Sequence, residues 1–365
     1  MKILCAISGG VDSAVAAARL VAAGHTVTGV HLRLWENPSQ AGLLANQPRF
    51  DHASDAQHVA EVLGIPLLLW DFTKEFKTEV IDYFVAAYAK GETPNPCLRC
   101  NQKIKFSAML TRARGLGFEA LATGHYALIE NAAGQRSLHR SSEAAKDQSY
   151  VLGVLNQDQL AHSLFPLGSS PAKADIRAEA AKCGFNIAEK PDSSDICFIP
   201  DGDTAAFLRK QLGRREGNIV ASDGTVLGTH LGSYQFTVGQ RHGLRLRVPA
   251  ADGRPRYVKA IDAQANTVVV GSKQDLSVGR LRGTSLTFTQ AVISEPWSGF
   301  AQWRAHGAAV PANFSYCDDE LRVEFVQPVV GIALGQTVVC YEQGRVVGSA
   351  QISKTATTKA PAIPS

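Results

Sequence analysis

Ser8-Gly9-Gly10-Val11-Asp12-Ser13 is the stretch that decides how this chain is read. It directly follows a short apolar run, Ile3-Leu4-Cys5-Ala6-Ile7, and directly precedes an Ala-rich segment that ends at Gly24. That order predicts a strand, a glycine turn and the start of a helix. The first N–H groups of a helix have no intrahelical partner and face outward, so they suit phosphate oxygens. Gly9 and Gly10 let the backbone come close to such a ligand, and Ser8 and Ser13 add hydroxyl donors. A Walker A loop would need Lys followed by Ser or Thr. Here Asp12 holds the inner place, from which a carboxylate can carry magnesium on the phosphates.

Working outward, the 365 residues are too many for one ordinary domain and enough for two or three. Hydrophobic residues make up 45% and charged ones 19%, which excludes a disordered chain. No stretch approaches the roughly 20 apolar residues of a membrane span. The opening apolar run is too short for a signal peptide. Seven cysteines without an export signal point to reduced thiols and a cytoplasmic protein, not a disulfide framework. The net charge of +4 says little alone. Its distribution says more: five basic residues and no acidic one lie between Thr93 and Phe118 (Arg99, Lys103, Lys105, Arg112, Arg114). A second run, Arg241 to Arg256, holds five arginines and one Asp. These are either solvated faces or a polyanion surface.

Strand and helix patterns alternate through the first part. Strands are expected at Ile3–Ile7, Thr26–Leu34, Pro66–Trp70 and Phe118–Thr123. Helices are expected at Ser13–Ala23, Ser54–Leu63 (capped by Ser54), Lys74–Ala89, Lys103–Arg114 and Ala172–Lys182. Such alternation predicts an α/β, doubly wound parallel sheet, whose ligands bind beyond the carboxyl ends of the strands. Both the glycine loop and Gly124-His125-Tyr126 follow strands, and Leu32, near the end of the second strand, is placed to pack an adenine. Glu36–Arg49 reads as a mobile loop beside that site. Past Asp203, short β-type runs separated by turns (Tyr234–Val238, Tyr257–Ile261, Thr267–Val270, Leu286–Phe288, Arg322–Phe325, Thr337–Tyr341, Val346–Ile352) predict two small mainly-β domains, the last a β-barrel. The expected domains are 1–203, 204–280 and 281–353, with a disordered tail over 354–365.

Cys97 and Cys100 form a Cys-x-x-Cys pair in a stretch with two prolines, expected to run extended ahead of a helix. The helix start and the cations Arg99, Lys103 and Lys105 favour thiolate there. Cys197 sits in another turn-like segment. Cys5, Cys183, Cys317 and Cys340 read as structural. Three uses of Cys97, Cys100 and Cys197 stay open: a zinc site completed by a His, an iron–sulfur cluster with one open position, and sulfur transfer through a persulfide.

Ser8–Ser13, in its strand–helix setting, resembles the pyrophosphate loop of the ATP pyrophosphatases, which activate an oxygen as an adenylate. Taken with Thr93–Pro96 and Cys100, Ala122–Tyr126, Lys146–Tyr150, Ser194–Phe198 and Gly239–Leu244, the chain closely resembles the bacterial tRNA-specific 2-thiouridylases from about residue 1 to residue 350. The resemblance implies 2-thiolation of the wobble uridine, position 34, in the anticodon arm of certain tRNAs. It implies ATP across Ala6, Ile7, Ser8, Gly9, Gly10, Val11, Asp12 and Ser13, with Leu32 and Gly124. Cys197 would carry a persulfide from a sulfur-donor protein, Cys100 would be the second catalytic thiol, and a Cys100–Cys197 disulfide would remain. Asn95, Pro96 and Cys97 would meet the target base, and Lys146, Asp147, Gln148, His125, Arg304 and Gln336 would touch the tRNA. Many members carry Asp where this chain has Cys97, which keeps a 4Fe–4S cluster on Cys97, Cys100 and Cys197 in view. A monomer is expected. The alternatives are a small-molecule adenylating ligase with the same loop and a metal-stabilised RNA-binding module without catalysis.

Overall fold

A computed structural model describes residues 1–35, 52–132, 134–170, 172–190, 196–246, 253–289 and 295–356. The expected loop at 36–49, most of the tail from 354, part of the second arginine run and Ser194-Asp195 lie outside the described residues.

In chain order the first part comprises β1 (Lys2–Ala6), α1 (Val11–Ala22), β2 (Thr26–Arg33), α2 (His52–Leu63), β3 (Leu67–Asp71), α3 (73–89), α4 (96–115) and β4 (Ala120–Ala122). It continues with β5 (Leu128–Ala132), β6 (Gln135–His139), α5 (Ser149–Leu152), α6 (Gln157–Ala161), β7 (Ser163–Leu164) and α7 (Lys173–Lys182). Strands β3-β2-β1-β4-β7 form one parallel sheet. Successive residues of a strand face opposite sides. Ile3 and Cys5 therefore enter a core with α1, α2 and α7, while Leu4 enters a second core with α3 and α4. That double burial is why β1 reads as a continuous apolar run, not an alternating one. The alanines of α1 bring its backbone close to the sheet, where Ala14, Ala16 and Ala17 are fully buried.

After α8 (Thr204–Leu212) come β8 (Gly217–Ala221), β9 (Val226–His230), β10 (Tyr257–Asp262) and β11 (Thr267–Gly271), a four-stranded sheet of order β10-β11-β8-β9 with its own core. Then β12 (Ser277–Phe288), β13 (Trp297–Gln302), β14 (Val310–Cys317), β15 (Glu320–Val330), β16 (Thr337–Glu342) and β17 (Arg345–Ala356) close into a barrel through a β12–β17 pairing. The hairpin β5–β6, supplied by the first part of the chain, joins this sheet alongside β17.

Three expectations of local structure are corrected. Ser54 does not cap α2, which begins at His52. Cys97 and Cys100 do not lie in an extended loop: Asn95 Oδ1 accepts from the N–H of Cys97 (2.9 Å), Pro96 is the first helical residue, and the prolines start the helix. Tyr234 belongs to a 3-10 turn, Ser233–Gln235, set by left-handed Gly232 and by the Tyr234 hydroxyl donating to the Gly213 carbonyl. The short helix α8 and the hairpin β5–β6 were not expected.

Candidate active site

The glycine loop ties itself together and leaves the helix start open. Ser13 Oγ accepts from the Ser8 N–H (3.1 Å) and donates to the Gly10 carbonyl (2.9 Å). Gly9 is left-handed at φ +79°. Gly10 is the N-cap of α1 and offers no side chain to it, so the first N–H groups of the helix stay available for an anion. Ile7, Val11 and Ser13 are buried, which leaves Ile7 and Val11 to act through their backbones. Gly124, at the end of β4, lies against the loop: a Cβ there would stand 2.7 Å from the Ser13 nitrogen. The loop follows β1 and Gly124 follows β4, so both occupy the edge where strand order diverges from the centre of the sheet. Ala6 and Leu32 are half-buried on the same core, as an adenine-packing surface requires.

Asp12 is already engaged. Lys173 Nζ lies 2.6 Å from both carboxylate oxygens, and the Tyr126 hydroxyl donates to Oδ1 at 2.6 Å. The magnesium role expected of Asp12 does not fit this arrangement, because a resident cation neutralises the carboxylate. A second lysine, Lys190, donates to the Gly9 carbonyl (3.2 Å) and pairs with Asp55 (2.6 Å). Sequence reading missed both lysines. The signal was present at Lys173: a cation as first residue of α7 opposes the helix dipole and implies a partner.

The thiols of Cys100 and Cys197 share a neighbouring cation, Lys105, with His125. Cys100 is buried, Cys97 and Cys197 are exposed, and no disulfide joins the described cysteines. Cys197 is anchored by its neighbour Phe198, which sits edge-on to Phe76 and Phe84 and beside Phe207. Burial pushes the Cys100 thiol up to about 11, opposed by Lys105 and reinforced by Cys97. The Cys197 thiol is also pushed up, by surrounding protein first, then by Cys100 and Cys97. Because Cys197 is exposed, water screens part of that rise. The expected thiolate is therefore corrected. Desolvation outweighs the cations, and Arg99 is occupied by Glu79 (2.8 Å) and stacked 4.5 Å from the Tyr83 ring centre. Lys105 is the cation that acts on Cys100, Cys197 and His125 alike. Burial holds the His125 imidazole well below its ordinary range, and Thr123 Oγ1 lies 2.7 Å from its Nδ1. Among the described residues no three His, Cys, Asp or Glu side chains are grouped to hold a metal, so Cys97, Cys100 and Cys197 as placed do not fit an iron–sulfur cluster.

The remaining residues expected at RNA divide by their placement. The Asp147 side chain is 5% exposed and fully used by Arg140, Ser149 and the Ser141 N–H. It is an internal anchor, which corrects its expected contact with tRNA. Gln148 accepts from the Tyr126 N–H (3.0 Å). Lys146 is half-buried at the end of a 3-10 turn. Arg304 is exposed and donates to the Gly331 carbonyl. Gln336 accepts from the Ala333 N–H (2.9 Å). Thr93, the first residue of the Thr-Pro-Asn-Pro stretch, donates its N–H to Leu334 of the barrel (2.8 Å) and meets Thr237 of the central unit at 3.4 Å.

Three family models match in series: "tRNA methyl transferase HUP domain" over residues 1–201, "tRNA methyl transferase PRC-barrel domain" over 205–272 and "Aminomethyltransferase beta-barrel domain" over 278–352. A protein of Acidothermus cellulolyticus named "tRNA-specific 2-thiouridylase MnmA" is 54% identical over 97% of this chain and 98% of its own length. The chain belongs to the tRNA-specific 2-thiouridylase family. Relatives with the same name from Streptomyces avermitilis and Cutibacterium acnes are each 51% identical, over 98% and 97% of this chain and 96% and 97% of their own lengths. A solved structure titled "Crystal structure of a 4-thiouridine synthetase - RNA complex with bound ATP" is 17% identical, with a TM-score of 0.35, over 57% of this chain and 50% of that one. No described helix is long and apolar enough to cross a membrane.

Proposed function

We propose that this chain is an ATP-dependent tRNA 2-thiouridylase that activates a uridine as an adenylate and replaces its C2 oxygen with sulfur. One connected arrangement carries the reading. The phosphate loop touches Gly124, His125 follows in sequence, and His125 shares Lys105 with Cys100 and Cys197. This adjacency supports reading nucleotide activation and sulfur chemistry as parts of one site. ATP lies on the N–H groups of residues 9 to 13, with its adenine against Ala6 and Leu32 and its phosphates between Lys173 and Lys190. The uridine C2 oxygen attacks the α-phosphate, pyrophosphate departs, and the oxygen becomes part of a good leaving group.

Cys197, exposed and therefore reachable by a donor protein, carries the persulfide. Its terminal sulfur attacks C2 and AMP leaves with the oxygen. The Cys100 thiol then attacks the Cys197 sulfur and passes its proton to the departing 2-thiouridine, leaving a Cys100–Cys197 disulfide. A two-electron thiol reductant resets the pair. Asn95, Pro96 and Cys97 lie at the start of the helix that bears Cys100 and there receive a base turned out of its stack. Lys146, Gln148, His125, Arg304 and Gln336 face the RNA around it. Methyl transfer, the wording of two of the family descriptions, needs neither adenylation nor a thiol pair.

The test supplies purified chain with ATP, unmodified tRNA and a persulfide donor, and measures 2-thiouridine by mass spectrometry of digested tRNA. Wild type forms it with one AMP per base, and Cys100→Ser and Cys197→Ser each abolish it while keeping nucleotide affinity. Product formation by Cys197→Ser at the wild-type rate refutes the persulfide assignment. Pyrophosphate exchange driven by a small carboxylate instead of tRNA would place the chain among adenylating ligases.

A further inference from the structure

A polar cleft of about 210 Å³ opens between the thiol-bearing helix α4 and the rim of the barrel. Asn95, Arg99, Gln102 and Lys103 line it from one side, and Ser285 and Gln351 line it from the other. Among the described residues no carboxylate lines it. Asn95, which caps the helix at Cys97, is shared between the cleft and the reaction centre. Arg99 is held by Glu79 and Tyr83, and Gln351 donates to the Tyr83 hydroxyl at 2.8 Å, so this wall is fixed in position. Lys103 is exposed and forms no ion pair among the described residues. Ser285 is left-handed at φ +53°, at a bulge that interrupts the β12–β17 register between Thr284 and Thr287. Bulges of this kind re-aim side chains at the rims of barrels.

Arg99 spends its charge on Glu79, so Lys103 is the cation left to suit a phosphate, and the amides beside it suit the donor and acceptor edge of an unpaired base. The volume falls below the roughly 300 Å³ at which pockets for whole small molecules begin. It suits part of a polymer that continues outside. We infer that this cleft is a second nucleotide subsite, which takes the residue flanking the modified uridine, with its phosphate at Lys103 and its base edge against Gln102 and Gln351. The inference rests on the thiouridylase reading and deepens it. The enzyme would then hold two splayed nucleotides, one at the thiols and one between two structural units. Selection among tRNAs would depend on both.

The experiment uses the full chain and a 17-nucleotide anticodon stem-loop, with affinity read by fluorescence anisotropy over a salt series. Each single-stranded phosphate contact contributes about 0.7 to the salt slope. Lys103→Ala is expected to weaken binding about 3- to 10-fold at low salt and to lower the slope by roughly that amount. ATP affinity and melting temperature should be unchanged. The hairpin is then made abasic at position 33 and, separately, at 35. At one of these the loss should be at least fivefold for wild type and under twofold for Gln102→Ala. Unchanged affinity and slope in Lys103→Ala, or equal abasic losses in wild type and Gln102→Ala at both positions, overturn the subsite. Wild-type chain that neither binds nor thiolates tRNA would instead overturn the underlying function.

Discussion

Raising the pH should accelerate alkylation of Cys100 well past the point at which an ordinary thiol levels off. Thiolate is the reactive form, and the buried Cys100 thiol sits at about 11 against an ordinary 9.0. At pH 8 its thiolate fraction is then about one in a thousand, against about one in ten for the ordinary thiol. Ionisation alone makes it about 100-fold slower to react. Burial also slows reagent entry, but entry scales the whole curve without moving its bend. The assay follows iodoacetamide labelling of the Cys100 peptide by mass spectrometry from pH 7 to 10.5. The rate should climb about tenfold per pH unit to at least pH 10, and the bend should return to about 9 in urea. A plateau below pH 9 in the folded protein would refute the argument that desolvation defeats Lys105. The same displacement affects folding. A thiol harder to ionise when folded contributes stability that is fully present below about pH 9 and is lost as pH rises toward 11. Two units amount to about 3 kcal/mol, which Cys100→Ala should remove from the alkaline limb of the urea-midpoint profile.

Gly124→Ala should weaken ATP binding about tenfold or more. Its Cβ would press on loop backbone, and overpacking of that kind costs about 1–3 kcal/mol; unchanged affinity in a nucleotide titration would contradict it. Lys173→Met should destabilise by about 1–2 kcal/mol, below the figure for a fully buried pair because Asp12 is one-third exposed. Adding Asp12→Asn should recover most of that loss in a urea double-mutant cycle. Asp147→Ala should cost about 2–4 kcal/mol in urea unfolding by stranding Arg140 and Ser149. At temperatures where it stays folded, its RNA affinity should match wild type.

The first strand of the parallel sheet was legible because both its faces are buried, and it carries an unbroken apolar run that simple pattern reading detects. The phosphate loop was legible because its geometry is local: strand, glycines and helix start are contiguous. What escaped the sequence was long-range. The partnership of Asp12 with Lys173 spans 161 residues, and no periodicity reports it. The β5–β6 hairpin is short and mostly polar because its apolar support comes from another unit. The thiolate expectation failed for a related reason. Nearby cations can be counted along the chain, whereas the burial of Cys100 comes from its place in a core assembled from distant parts of the chain. Asp147 is a different case: its partners Arg140, Ser141 and Ser149 lie within seven residues, but only the folded loop turns them onto one carboxylate.

Thr93 is a point at which all three parts of the chain meet. One bond from it reaches the barrel and another reaches the middle unit, and four positions later the chain becomes Cys97. Severing either β unit would therefore slacken the first turn of the thiol helix, not merely trim an accessory. Transplanting the nucleotide half onto a foreign RNA-binding partner would require rebuilding these two tethers and the β5–β6 pairing with the barrel along with it.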